Sequence, residues 1–210
     1  MAFSTIRPRT FFHAAAIALS TLVLGSSSGF AQKAETVRVR GVIVSLDGSM
    51  LTVKSRQGAD VSIKLADNFR VASVVKASAA DIKPGVFIGT ASVSKAGGSR
   101  ALEVLVFPEA LRGTGEGDYA WDLTSDSMMT NGTVGSSVAS VDGPTVTVAY
   151  KGGERKITVG SDTPIVTLGP ADKSDIKPGT PVFVTTQKQA DGNFTAASIT
   201  IGKNGVVPPM

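Results

Sequence analysis

The chain has 210 residues, with 21 lysines and arginines, 17 aspartates and glutamates, one histidine and no cysteine. The single histidine, His13, lies in an N-terminal segment that we expect to be removed, so the mature chain would hold neither histidine nor cysteine. These counts exclude a Ser-His-Asp triad, a cysteine nucleophile, and zinc or haem sites with His or Cys ligands from the mature protein.

Residues 1–31 have the pattern of a secretory signal peptide. Arg7 and Arg9 precede an apolar run from Phe11 to Leu24, and a Ser/Gly-rich segment then leads to small residues before a predicted cleavage site after Ala31. The apolar run is shorter than the roughly 20 residues that a membrane-spanning helix needs. We therefore expect cleavage of this segment and a periplasmic or secreted mature chain without a transmembrane span.

Cleavage would also change the charge of the protein. Removal of two arginines leaves 19 basic and 17 acidic residues, so the mature chain is nearly neutral. Proteins that bind nucleic acid usually carry a clear excess of positive charge. We therefore expect no nucleic-acid partner.

Two segments of the mature chain repeat one another. The pentapeptide Asp81 to Gly85 recurs as Asp175 to Gly179, and Val44 to Gly48 aligns with Ala139 to Gly143. A duplicated module is the simplest explanation of such internal similarity. The predicted organisation is a signal peptide at 1–31, a first barrel at 32–107, a connection at 108–132, a second barrel at 133–203 and a tail at 204–210.

Each copy predicts three strands, a short helical turn and two further strands. In the first copy, alternating apolar residues predict strands at 37–45, 51–54 and 61–65. A capped turn is predicted at Ser78 to Asp81, and the Pro84-Gly85 pair that follows reverses the chain. The last two strands are predicted at 86–88 and 101–107, and the second copy has the same order.

This order is typical of an OB-like barrel, which closes its sheet and so removes exposed edges. The predicted fold is therefore all-β, with two tandem small OB-like antiparallel barrels, each containing one short helical turn. Ile82 and Ile176, within the repeated pentapeptides, are expected to plug the ends of the barrels.

These motifs resemble a family of exported proteins built from the domain of unknown function 5666 (DUF5666). The resemblance is carried by Gly41 to Gly48, by Asp81 to Gly85 and by Ala101 to Val104, and it covers most of the mature chain. Some similar proteins are described as permeases of metal ABC transporters. No segment after residue 31 is apolar over the length of a bilayer, so the sequence does not favour a permease.

The connection at 108–132 has no counterpart within the repeats and contains the only tryptophan. Connections of this length are usually functional or disordered. One interpretation is a structural belt in which Tyr119 and Trp121 seal the groove between the barrels. A second is a ligand site for a sugar or a cation, and a third is a metal site of oxygen ligands, with Met128 or Met129 for a soft cation. The candidate ligand-binding residues are Glu116, Asp118, Tyr119, Trp121 and Asp122.

Together these patterns favour a non-catalytic exported binding or scaffolding protein, without a cofactor, whose partner is an unknown small molecule or protein. One alternative is an accessory metal-binding protein of a transport system. A second is a carboxylate-dependent hydrolase that uses two of Glu116, Asp118 and Asp122. Such a hydrolase needs two carboxyl groups roughly 5 to 9 Å apart across a cleft.

Overall fold

The computed structural model describes residues 1–2, 35–95 and 98–209, so the predicted signal peptide and its cleavage site lie outside the described residues. The described part of the chain is built almost entirely of strands, which confirms the all-β prediction. None of its helices has the length and apolar character needed to cross a bilayer. The strands are β1 (Glu35–Asp47), β2 (Met50–Ser55), β3 (Asp60–Lys76), β4 (Phe87–Lys95), β5 (Gly98–Val106), β6 (Gly117–Ala120), β7 (Met128–Val138), β8 (Thr145–Tyr150), β9 (Gly153–Thr158), β10 (Ile165–Pro170), β11 (Pro181–Lys188) and β12 (Phe194–Gly202). Three short 3-10 turns occupy Ala79–Asp81, Glu109–Leu111 and Lys173–Asp175.

Five strands close into what we call the first ring: β1, β2, β3, β12 and β11. Each strand pairs with the next, and β11 returns to β1. Every pair is antiparallel except β3 with β12. Apolar side chains that alternate along these strands fill the interior, among them Ile43, Leu51, Val53, Ile63 and Val184.

Five other strands form the second ring: β4, β5, β9, β8 and β7. Four of its pairs are antiparallel. The fifth joins β5 to β9 in parallel, with Ser99 opposite Ile157 and Arg100 opposite Thr158. Its interior is a separate apolar cluster that includes Ile88, Val104, Val146, Val148 and Ile157.

The division of strands between the rings differs from the expected tandem arrangement. Each ring combines three strands from one half of the chain with a hairpin from the other half: β11 and β12 close the first ring, and β4 and β5 close the second. Strand β3 runs for 17 residues, and its end extends beyond the first ring to pair with β10 before β4 begins in the second ring. The described parts of the segments 32–107 and 133–203 are therefore interleaved within one compact unit.

The two rings are joined by strand pairing and by a small core of their own. The end of β3 pairs antiparallel with β10, with Val74 opposite Leu168, and β10 also pairs in parallel with β5. Val74, Leu105 and Val166 are buried together at this seam. Strand pairing at the seam therefore fixes one ring against the other.

The capped turns predicted in the two repeated segments are both present. The backbone N–H and the hydroxyl of Ser78 each donate a hydrogen bond of 2.8 Å to the Asp81 carboxylate. In the second segment the N–H of Asp172 donates a hydrogen bond of 2.8 Å to the Asp175 carboxylate. Each aspartate thus closes a capping box on a single 3-10 turn.

Ile82 and Ile176 follow these turns and are both buried, as predicted. Ile82 packs into the core of the second ring and Ile176 into the core of the first. Each isoleucine therefore packs inside the ring that is closed by the hairpin following it in the chain, β4–β5 for Ile82 and β11–β12 for Ile176.

Two glycines, Gly41 (partly buried) and Gly132 (buried), occupy equivalent places in the two rings. A Cβ atom on Gly41 would overlap the carbonyl oxygen of Lys54, and one on Gly132 would overlap that of Ala149. Gly41 in β1 therefore matches Gly132 in β7. The alignment of Val44 to Gly48 with Ala139 to Gly143 is displaced by four residues, because the β7–β8 connection is longer than the β1–β2 turn.

Candidate functional site

A cavity of about 530 Å³ lies between the two rings and is lined by residues of both. We call it the inter-ring pocket. The first ring contributes residues of β3, β11 and β12, the second ring contributes residues of β4, β5 and β7, and β10 lies between them. Most of its wall is apolar and includes Leu105, Phe107, Met129, Leu168, Phe183 and Ile199. Cavities of this size and character commonly hold small molecules.

Strand β6 brings the aromatic residues of the 108–132 connection to this pocket. It pairs antiparallel with the start of β7, which places Tyr119 opposite Met129. Side chains alternate along a strand, so Tyr119 and Trp121 share one side while Asp118 points to the other. The two aromatic rings meet edge to face, with centroids 6.1 Å apart, and both line the pocket.

The indole of Trp121 is held firmly, yet its N–H is buried without a hydrogen-bond partner among the described residues. The backbone N–H of Trp121 donates to the carbonyl of Ser127 at 2.8 Å, and the Ser127 hydroxyl donates back to the Trp121 carbonyl at 3.0 Å. The Arg38 guanidinium stacks on the indole, 3.8 Å from the ring centroid. A buried, unpaired donor in a pocket wall is suited to a ligand acceptor.

Asn131 supplies a second unpaired polar atom. Its side-chain amide donates to the carbonyl of Thr114 at 3.2 Å and to the Tyr119 hydroxyl at 3.4 Å, which orients the carbonyl end as an acceptor. That oxygen, Oδ1, is buried with no partner among the described residues, on a side chain that is only 7% exposed. A Cβ on Gly89 would come within 2.5 Å of Oδ1, so glycine at this position keeps the space open.

Glu103 is the buried titratable group of the site. It projects from β5, is 3% exposed, and lines both the inter-ring pocket and a neighbouring cavity of about 920 Å³. Burial raises the pKa of its carboxyl to about 7, against the lowering effect of the Arg40 and Arg56 charges. Near neutral pH this group therefore exists both as a neutral acid and as an anion.

Asp118 ties β6 to the second ring. Its carboxylate accepts two hydrogen bonds from the Arg155 guanidinium, at 2.7 and 2.9 Å, and a third from the Thr130 hydroxyl at 2.7 Å. Both members of the ion pair are about one-fifth exposed. This predicted site residue therefore holds the 108–132 connection in place.

Asp122 makes the corresponding tie to the first ring. It forms an ion pair with Arg40 at 2.8 Å and lies 3.7 Å from Arg38, both on β1. Partial burial would raise the pKa of this carboxyl, but the hydrogen bond from Arg40 and the charges of both arginines outweigh it and hold the pKa below its ordinary value. Glu116 is exposed and accepts a hydrogen bond of 3.0 Å from the backbone N–H of Lys151.

The structure therefore divides the five predicted site residues. Tyr119 and Trp121 line the pocket together, whereas the three carboxylates bind separate elements. This distribution offers no support for a pair of catalytic carboxyls facing one another. In the described ranges, no three acidic, histidine or cysteine residues are grouped so that they could hold a metal ion.

Sequence reasoning missed Glu103, Asn131 and Arg70, which also line the pocket. One signal was present: Glu103 stands in the otherwise apolar strand Ala101 to Val106, and a charged residue in such a strand is rarely buried without a reason.

Comparison with known proteins yields no match: no family model fits the chain, and neither a curated protein nor a solved structure is significantly similar to it. The resemblance to DUF5666 stays a prediction from the motifs.

Proposed function

We propose that this chain is an exported, non-catalytic binding protein and that the inter-ring pocket holds its ligand, a small and largely apolar molecule with hydrogen-bonding groups. One observation carries the proposal: Trp121 Nε1 and Asn131 Oδ1 are both buried, both unpaired among the described residues, and both on side chains that line one apolar cavity. An unsatisfied buried polar group costs about 1–3 kcal/mol. A ligand with an acceptor for the indole and a donor for the amide would remove that cost.

Under this proposal each ring is an OB-like barrel whose closing hairpin comes from the other half of the chain. The strand order supports it, since the first strand pairs with the fourth and the third pairs in parallel with the fifth in both rings. The exchange places the outer faces of two barrels side by side, and the 108–132 connection covers the groove between them. Export rests on the N-terminal pattern and on the resemblance to DUF5666.

The test is a screen of small molecules by thermal shift and tryptophan emission. Trp121 is the only tryptophan, so its emission reports on the pocket wall. Compounds that bind should raise the unfolding temperature and change the emission. Ala72→Phe, which adds a ring to the pocket wall, should abolish both effects, whereas Ala197→Phe, at an exposed position that does not line this pocket, should leave them unchanged. Binding that survives Ala72→Phe, or a broad panel without any binder, would contradict the proposal.

A further inference from the structure

We propose, building on the function proposed above, that the ligand of the inter-ring pocket carries a carboxylate or similar anionic group, that Arg70 binds this group at the rim, and that Glu103 makes its retention dependent on pH.

Arg70 is the cation available to such a ligand. It projects from β3 into the pocket lining, is exposed, and lies beside Ser198 of the neighbouring strand, which lines the same rim. Within the described ranges its guanidinium forms no ion pair, side-chain hydrogen bond or ring contact. In contrast, five other arginines contact carboxylates of this chain, namely Arg38, Arg40, Arg100, Arg112 and Arg155.

The charges that face Glu103 are mostly positive. Arg40 on β1 and Arg56 after β2 act on its carboxyl, Arg70 and Tyr119 share the inter-ring pocket with it, and Lys76 shares the neighbouring cavity. Arg40 is also bound to Asp122. Cations around an apolar cavity produce a potential that favours an anionic ligand over a cationic one.

Glu103 opposes such a ligand only when it is ionised. As a neutral acid it can donate a hydrogen bond to an anion in the pocket. As a carboxylate it repels that anion, and the repulsion is strong because the surroundings are buried. Burial raises the pKa of this group to about 7, so the change falls near neutral pH. Retention of an anion should therefore be tighter in mild acid than in mild base.

Three probes that share the same alkyl chain and differ in the charge of the head group test whether the pocket prefers an anion. They are decanoate, decanol and decylammonium, titrated by calorimetry near pH 6. Decanoate should bind at least about tenfold more tightly than decanol, with decylammonium weakest. Arg70→Gln should reduce the affinity for decanoate to that for decanol and leave the affinity for decanol unchanged. Arg100→Gln is the matched control, because Arg100 does not line this pocket, and it should change neither affinity.

The pH arm repeats the decanoate titration near pH 8. Decanoate is ionised at both pH values, so a change in affinity belongs to the protein. The wild-type affinity should fall at least about threefold, and Glu103→Gln should remove that fall while keeping the dependence on Arg70. Equal pH dependence in both proteins would overturn the role of Glu103.

The outcomes separate this inference from the proposed function. Equal affinity for the three probes, or tighter binding of decylammonium, overturns the anionic ligand and leaves a binding pocket in place. Absence of binding by all three overturns this inference, whereas the proposed function is overturned only if the broad panel also contains no binder. Thermal unfolding of each variant verifies that it is folded.

Discussion

Glu103 illustrates how one buried residue links stability to pH. Its pKa is about 7 in the folded protein, above the ordinary value of 4.5. A group with a raised folded pKa stabilises the fold fully below its unfolded pKa, and that contribution is lost as the pH rises through the folded value.

Glu103→Gln should therefore alter the pH dependence of stability. Between about pH 5 and pH 8, the wild-type free energy of unfolding should fall relative to that of the variant, by about 3 kcal/mol at most. Denaturant unfolding of both proteins at the two pH values provides the measurement. Parallel changes in the two proteins would show that Glu103 is not the group responsible.

The ion pair of Asp118 with Arg155 should matter more than the exposed ion pairs. Asp118→Asn keeps the shape of the side chain but leaves the partly buried guanidinium without its counter-ion, and we expect a loss of about 1–3 kcal/mol. Asp162→Asn is the control, since Asp162 is 76% exposed in its pair with Arg100 and should contribute less than about 1 kcal/mol. Urea unfolding compares the two, and equal losses would argue against a tying role for Asp118.

For individual residues, the sequence predicted where the aromatic side chains of the site lie better than it predicted the roles of the polar ones. Tyr119 and Trp121 could be predicted at a groove because large rings are costly to leave in water. Asn131 and Arg70 could not be assigned a role, because each gains its significance from a wall contributed by the other half of the chain. The carboxylates near Trp121 were predicted as ligands, but arginines distant in sequence engage Asp118 and Asp122.

Among the strands, close backbone contacts account for two of the glycines. Gly132→Ala would force a methyl group against the carbonyl of Ala149 within a buried strand pair. Overpacking of this kind costs about 1–3 kcal/mol. Gly135→Ala, in the same strand, has its nearest neighbour at 3.7 Å and should be nearly neutral. Thermal unfolding compares the variants, and similar stability of the two would show that β7 relaxes freely around position 132.

Local patterns predicted the existence of most strands but not their extent. The alternation in Val61 to Leu65 marked the start of β3, and the predicted strand ended at Leu65. In the structure, pairing with β12 carries β3 on to Val74, and pairing with β10 extends it to Lys76. Tertiary pairing of this kind overrides local propensity. Strands β6 and β10 were also missed, since each is short and is defined by its partner.

For the whole molecule, the exchange of hairpins could not be predicted from the repeats. A hairpin has the same alternation of apolar and polar residues, the same turns and the same buried isoleucine before it, whichever ring it closes. The choice depends on where β3 directs the chain, and that follows from its full length of 17 residues. Tandem and exchanged arrangements therefore share one sequence pattern.

Engineered cysteines distinguish these arrangements without interference, because the chain has no cysteine of its own. Thr36 of β1 lies opposite Gln187 of β11. Strand β4 holds the place in the second ring that β11 holds in the first, and its residue that corresponds to Gln187 is Val93. The pair T36C with Q187C should oxidise within one chain, because paired strands bring Cα atoms within disulfide range. The pair T36C with V93C should remain reduced. Electrophoresis without reductant measures both, and the opposite result would indicate the tandem arrangement.

The indole N–H of Trp121 provides the most direct test that the inter-ring pocket binds a ligand. As the only tryptophan, it gives a single indole resonance in a nitrogen–proton correlation spectrum. We saturate the protein with decanoate or decanol, whichever binds more tightly, and expect that resonance to shift. The Ala72→Phe variant should show no shift. If the ligand binds and the resonance keeps its position, the ligand lies elsewhere and the inter-ring pocket is not the binding site.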